Sequence, residues 1–277
     1  MELRYLIYDP TKNVTALVTT PVPRRDHAAA AAALMAALPA VEQTGFLEEP
    51  SDPAARLRLQ MMGGEFCGNA AMSAAAYLAE RDGLPDGAAD AYPLEVSGNS
   101  GVLRCRIEHR GPRFFGTVAM PLPESIGSAL LPPVGAGGVR VVPAVRLPGI
   151  VHCILPAPEV TREQAEAELR PQLPTLCARL RTGACGLLLF DELSASFAPL
   201  VYVASTDTAV WESGCGSGSA AIGAYLASRD GASRDIALRQ SGGIIRVRAR
   251  WEKGTVAALT ITGQVYGTGG GSMEVEV

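Results

Sequence analysis

The sequence predicts an α+β protein of two pseudo-symmetric lobes, each a mostly antiparallel sheet wrapped around a central helix. The chain repeats itself: CGNAAMSAAAYLAERDG at 67–83 aligns without gaps to CGSGSAAIGAYLASRDG at 215–231, with nine of 17 positions identical. LEVSGNSGVLRCR at 94–106 then resembles LRQSGGIIRVR at 238–248, two residues shorter. Each copy reads as a Cys-Gly turn, an Ala-rich helix ended by Asp-Gly, and a hairpin whose strands flank Ser-Gly. The helical stretches Ala70–Ala79 and Ala220–Ala227 are apolar almost all round, so each needs a sheet of its own around it.

Taken in order, MELRYLIYDP at 1–10 reads as an opening strand stopped by Asp9-Pro10. A helix follows from Ala28 to Leu38, with Asp26 as candidate cap, and another from Thr161 to Leu169, capped by Thr161. MPLPESIGSALLPPVGAGG at 120–138 is rich in Pro and Gly and marks a boundary or crossover. The N-terminal lobe is therefore placed at 1–120 with Cys67, and the C-terminal lobe at 135–264 with Cys215. A tail from about 265 to 277 returns to the first lobe.

Of 277 residues, 48% are hydrophobic and 19% charged, which suits packed cores and argues against disorder. A net charge of -4 without a basic run offers no footprint for nucleic acid or an anionic membrane. No apolar stretch approaches the ~20 residues of a membrane span, and the N-terminus lacks a signal-peptide pattern. A cytoplasmic protein acting on a small molecule is expected, with a homodimer as the default oligomer. Cys67, Cys105, Cys153, Cys177, Cys185 and Cys215 form no C-x-x-C pair, so reduced thiols are expected rather than disulfides. Cys105 and His109 share a strand face, but two ligands do not make a metal site.

The two helix-start cysteines are the candidate catalytic pair. Unpaired N–H groups of a helix's first turn point past such a residue and make its surroundings electropositive. A thiol there is expected to shift from a pKa of about 8.5 toward about 7, becoming a usable base. The same N–H groups, from Gly68 and Asn69 or from Gly216, Ser217 and Gly218, suit a carboxylate. One cysteine as thiolate would remove an α-proton while the other, as thiol, returns one from the opposite face. Buried structural cysteines are the plain alternative. Against it, Cys-Gly is kept in both copies while Asn69 and Ser217 diverged.

With these residues the chain resembles the diaminopimelate epimerase and proline racemase superfamily over essentially its whole length. GGEFCGNA at 63–70, TKNVTALV at 11–18 and EQTGF at 42–46 look most like the histidine racemases of staphylopine-type metallophore biosynthesis. The resemblance implies a diaminopimelate epimerase-like fold and a cofactor-independent isomerase that inverts an amino-acid α-carbon, with histidine as first substrate. It implies Cys67 and Cys215 as the two bases, and Asn13, Glu42, Gly68, Asn69, Glu212, Gly216, Ser217 and Gly218 as substrate contacts. Glu212 occupies the acidic position suited to the α-ammonium group. Glu212-Ser213-Gly214 lacks the arginine usual in diaminopimelate epimerases, and Cys-Gly-Asn replaces the Cys-Gly-His usual in proline racemases.

Diaminopimelate or another polar amino acid remains the alternative substrate, and an inactive amino-acid-binding module the alternative of another class. A pyridoxal-phosphate enzyme needs a Schiff-base lysine, and Lys12 and Lys253 both sit in turn-like contexts. Gly-Cys-Gly-Ser-Gly lacks the spacing of a dinucleotide loop. A cysteine hydrolase would draw on His27, His109 or His152. His27 is expected to face solvent, and His152 in GIVHCIL to be a hydrogen-bonded core histidine that orders the site.

Overall fold

The structure is a computed structural model that describes residues 1–135, 137–157 and 159–276. Ala136, in the Pro/Gly segment, and Val277, at the end of the tail, lie outside the described residues. The fold is α+β. The chain forms two compact units, Met1–Ala119 with Ile261–Val277, and Met120–Thr260.

In the first unit the strands are β1 (Glu2–Pro10), β2 (Thr15–Val18), β3 (Gln43–Glu48), β4 (Leu57–Met61), β5 (Ala89–Val96), β6 (Val102–Arg110) and β7 (Arg113–Ala119). The 20-residue strand β16 (Thr255–Glu274) ends in this unit. Neighbours pair in sequence order from β1 to β7, then β7 pairs β16 and β16 pairs β1, so the ladder closes on itself. The β1–β16 register runs from Glu2↔Glu274 to Pro10↔Val265. Glycines in β16 let it approach β1 closely, because a Cβ on Gly270 would lie 2.6 Å from the Tyr5 carbonyl oxygen.

Helix α1 (His27–Ala37) packs on β3 over a cluster of Leu3, Ala16, Val18, Leu34 and Phe46. The expected Asp26 cap is not made; a 3₁₀ turn at Arg24–Asp26 leads into the helix and Asp26 makes no side-chain cap bond. His27 is 3% exposed rather than solvent-facing. Its ring stacks on Phe46 at 3.7 Å and Nε2 meets the Val22 carbonyl at 3.0 Å, which buries the imidazole where its place at a helix start suggested water.

Helix α2 (Gly68–Arg81) touches β1, β2, β4, β5, β6 and β7. Its alanines are buried all round, and a Cβ on Gly116 of β7 would come within 2.7 Å of Met72. Small residues on both partners set this close helix-to-strand spacing. Ser73, in the middle of an apolar helix, returns its hydroxyl to the Asn69 carbonyl at 3.1 Å and so stays satisfied.

The second unit holds β8 (Ser125–Leu131), β9 (Arg140–Leu147), β10 (Ile150–Pro156), β11 (Ala184–Asp191), β12 (Ser196–Val203), β13 (Thr208–Trp211), β14 (Arg234–Gln240), β15 (Gly243–Glu252) and the start of β16. Their order is β16-β15-β14-β12-β11-β10-β9-β8, with β13 paired to β12. The segment 120–138 is thus not a bare crossover: it holds β8, which pairs antiparallel with the following β9, the segment's prolines falling outside the strand. Helix α5 (Gly216–Asp230) packs on β15, β14, β9 and β10, with Gly223 against Val247 at 2.6 Å for a built Cβ.

On the other face lies a cluster including Cys153, Leu155, Leu173, Leu176, Leu187 and Leu200. Here the helical stretch departs from expectation. Thr161 caps α3 (Arg162–Gln164) in a capping box with Gln164, but the chain then widens into a π turn at Ala165–Leu169. It resumes as α4 (Leu173–Leu180), whose Pro174 sits in the first turn, where a missing N–H costs nothing. Among the described residues no helix is long and apolar enough to cross a membrane, and no group of three or more His, Cys, Asp or Glu could hold a metal ion.

Candidate functional site

Each unit carries one helix-start cysteine with its own polar surroundings. Cys67 has extended backbone (φ -132°, ψ 113°) and is the N-cap of α2, its Sγ accepting from the Ala70 N–H at 3.4 Å. Cys215 (φ -96°, ψ 105°) caps α5 in the same way, accepting from the Gly218 N–H at 3.2 Å. A thiol in the place normally taken by Ser, Thr, Asp or Asn keeps one orphan N–H satisfied while leaving the sulfur beside the helix end.

In the first unit, β2 and β3 pair in parallel with Thr15 opposite Gln43, which sets three polar side chains beside Cys67. The Cys67 thiol donates to Gln43 Oε1 at 3.1 Å. Gln43 Nε2 donates to Asn13 Oδ1 at 2.7 Å and to Thr15 Oγ1 at 2.8 Å. Asn13 Oδ1 also accepts from Asn69 Nδ2 at 2.9 Å, and Asn13 Nδ2 donates to Glu42 Oε2 at 2.7 Å. Cys67, Asn69, Asn13 and Glu42 are therefore joined in one network through Gln43. The Glu42 carboxyl is raised above its usual range, chiefly by desolvation, against the Asn13 hydrogen bond that lowers it. Behind Asn13, Thr11 and Lys12 both adopt left-handed φ (57° and 61°). Buried Asp9 fixes that turn by accepting from the Lys12 N–H at 2.5 Å, Lys12 Nζ at 2.7 Å and the Tyr266 hydroxyl at 2.9 Å.

In the second unit, Ser217 Oγ lies 3.5 Å from Cys215 Sγ and 2.9 Å from His152 Nε2. The Glu212 carboxylate is hydrogen-bonded to the Cys215 thiol. The Cys215 N–H donates to Gln240 Oε1 at 2.6 Å, and Gln240 Nε2 donates to Ser219 Oγ at 3.2 Å. Gly218 is tightly enclosed: a Cβ would lie 3.0 Å from Cys215 Sγ and 3.0 Å from Leu188. Gly216 is buried directly behind the cap.

The Ser-Gly turn of the repeat serves the cysteine loop of each unit. Ser97 Oγ donates to the Glu65 carbonyl at 2.7 Å and accepts from the Met61 N–H at 2.9 Å, while the Gly242 N–H donates to the Ser213 carbonyl at 2.8 Å. In each unit this turn holds the loop that delivers the cysteine.

Thiol acidity runs opposite to the sequence expectation. Burial pushes Cys67 up to about 11, against the Ala70 N–H and the Gln43 amide, which pull it down. Cys215, 2% exposed, is raised well above the ordinary thiol range, by burial first and by the Glu212 carboxylate second. The cost of an unsolvated thiolate outweighs the partial positive charge of the helix end. Burial thus favours the thiol form of both cysteines.

His152 is fully buried, and burial holds its pKa down to about 3. Nδ1 has no hydrogen-bond partner and faces Gly186, where a Cβ would lie 2.2 Å away, while Nε2 pairs with the Ser217 hydroxyl. A depressed base of this kind contributes stability that is whole above the unfolded value near 6.5 and is lost as pH falls toward 3, at up to about 1.4 kcal/mol per unit. His152→Gln is expected to flatten the fall of urea-melt stability between about pH 6.5 and 4. Equal slopes in the two proteins would assign the acid sensitivity elsewhere.

Gln43 and Gln240 were not singled out from the sequence. Gln240 carries a signal, since it replaces Val96 of the first copy, a polar residue at an apolar strand position; Gln43 lies in EQTGF at 42–46, and only the parallel register brings it to Cys67.

Residues 2–273 match the family model described as histidine racemase CntK N-terminal domain. The chain belongs to this family. It is 31% identical over 275 residues to a histidine racemase of Staphylococcus aureus strain Mu50, covering 97% of this chain and 96% of that one. Among solved structures it is similar to a probable proline racemase of Agrobacterium radiobacter K84 (TM-score 0.71, 14% identity, 99% of this chain and 93% of that one). It is also similar to a phenazine biosynthesis protein of the PhzF family from Bacillus anthracis (TM-score 0.72, 14% identity, 99% and 100%). At that identity these two structures speak for the fold. The protein is an isomerase of the amino-acid racemase class, acting on a small amino-acid substrate.

Proposed function

We propose that this racemase interconverts L- and D-histidine by a two-base mechanism without a cofactor. Cys67 and Cys215 address opposite faces of one α-carbon. One enters as thiolate and takes the α-proton; the other, as thiol, gives its proton to the opposite face, so the two sulfurs exchange protonation states in each turnover. With the other enantiomer the roles reverse. The observation that carries the reading is that each unit presents a cysteine as the N-cap of an enclosed helix, with a first-turn N–H on the sulfur.

The substrate carboxylate is held by first-turn N–H groups of α2 and α5, at Gly68 and Asn69 and at Gly216, Ser217 and Gly218. Negative charge that develops there as the α-proton leaves is stabilised by the same donors. Glu212 takes the α-ammonium group, which draws its charge away from Cys215 and eases formation of the thiolate. Asn13, fixed by Gln43 and Asn69, holds Glu42 toward the imidazole. Histidine as substrate is supported by the family and by the named activity of the Staphylococcus aureus relative.

A panel of L-amino acids in deuterated water, followed by α-proton loss and by optical rotation, tests this directly. L-Histidine is expected to gain deuterium and invert. Inversion of another amino acid with L-histidine untouched would overturn the substrate and leave the two-base chemistry standing. Tight binding with no exchange for any amino acid would overturn both.

A further inference from the structure

Cys215 is held through its backbone by a side chain from another strand. As the N-cap of α5 it presents a backbone N–H that no carbonyl of the helix can satisfy. A capping box would meet this need with a Glu or Gln at the third helical residue, reaching back to that N–H. Here the third residue is Gly218, which has no side chain to offer and whose own N–H goes to Cys215 Sγ at 3.2 Å. The acceptor comes instead from Gln240 at the end of β14, whose Oε1 takes the Cys215 N–H at 2.6 Å.

The same amide closes a ring of hydrogen bonds. Gln240 Nε2 donates to Ser219 Oγ at 3.2 Å, and the fully buried Ser219 Oγ donates to the Cys215 carbonyl at 2.7 Å. Each donor in the ring meets an acceptor, which fixes the orientation of the amide. Both polar backbone atoms of Cys215 are thus tied to one side chain, the N–H directly and the carbonyl through Ser219. The residues of this ring have no polar equivalents in the first copy, where Val96 stands at the place of Gln240 and Ala71 at that of Ser219. Cys67 is instead held through its sulfur, by Gln43 Oε1 at 3.1 Å. Gln240 bonds to backbone, so it sets where the Cys215 sulfur lies without bringing it a charge.

We propose that Gln240 is a positioning residue for Cys215, holding the sulfur at the distance and angle that proton transfer at the substrate α-carbon requires. This rests on the two-base reading, in which Cys215 is one of the bases. Placement of that kind weighs heavily on rate, since a displacement of about 1 Å can cost about a hundredfold.

Gln240→Val and the double variant Gln240→Val/Ser219→Ala, which carry the residues of the first copy, test the proposal on the full chain. Gln240→Val is expected to lower kcat about ten- to a hundredfold with KM nearly unchanged. The double variant is expected to fall no further, because the ring acts as one device. The pH dependence of kcat/KM is expected to keep its position, as no charge is gained or lost beside the thiol. The deciding readout is the isotope effect of α-deuterated substrate in each direction. It is expected to rise where Cys215 takes the α-proton, the direction whose deuterium uptake Cys215→Ser abolishes, and to fall in the other, because only the transfer at Cys215 has slowed. A variant that merely folds less completely would lose kcat with both isotope effects unchanged, and that result overturns the proposal. Unaltered kcat in Gln240→Val beside an inactive Cys215→Ser overturns it alone; full activity of Cys215→Ser overturns the two-base reading and the proposal with it.

Discussion

Cys67→Ser and Cys215→Ser are each expected to lower kcat/KM for inversion by about a thousandfold or more, within the range that a lost acid or base group costs. Serine is among the best N-cap residues, so both helices keep their caps and loss of activity cannot be assigned to a frayed α2 or α5. What serine lacks is a group as acidic as a thiol, whose anion can take up the α-proton. The diagnostic result lies in the residual reaction: each variant keeps one thiol, so any remaining α-deuterium uptake is confined to one enantiomer, and to opposite enantiomers in the two variants. Full inversion by either variant would remove its cysteine from the chemistry. Because burial raises both thiols, kcat/KM of the unmodified enzyme is expected to climb from about pH 7 to about 9 as the thiolate becomes available.

Gly98→Ala is expected to be the costliest single-methyl change. Gly98 has φ +69°, and a Cβ there would lie 2.4 Å from the Phe66 nitrogen and 2.8 Å from the Glu65 carbonyl carbon. Both are backbone atoms, immediately ahead of Cys67, and neither can rotate aside. Left-handed strain of about 1–2 kcal/mol then adds to a clash that displaces the loop, for a total of about 2–4 kcal/mol. That corresponds to a fall in Tm of about 5–12 °C. Gly254→Ala is the control, with φ +80° and nothing within 4 Å, and carries the strain alone. A Gly98→Ala protein no less stable than Gly254→Ala would show that the turn yields. Loss of kcat with the stability is expected too, since the same turn fixes the approach to Cys67.

The repeat made much of this architecture legible. A cysteine followed by glycine and an alanine-rich run, found twice, specifies an enclosed helix because no other packing hides a helix apolar on every side. What the chain concealed is what depends on neighbours distant in sequence. Gln43 meets Cys67 only through the parallel register of β2 and β3. The acidity of the thiols depends on desolvation, which exceeds the local pull of the helix end that sequence does reveal. His27 is buried because Phe46 lies flat against it. The helix at Leu173–Leu180, with Pro174 in its first turn, likewise went beyond the helix expected from Thr161 to Leu169.

The pairing of β1 with the end of β16 has a consequence for how the molecule comes into being. Glu2 and Glu274 are partners across almost the entire chain, so the first unit has no complete hydrogen-bonded perimeter until β16 has been synthesised. During translation β1 is among the earliest strands to emerge and the last to be matched on both edges. The second unit, contiguous from Met120 to Thr260, has no such wait. Its contacts are nearer in sequence and carry a smaller loop-closure cost. The order of maturation therefore inverts the order of synthesis, and for that interval the nascent chain must keep an open strand edge from pairing elsewhere.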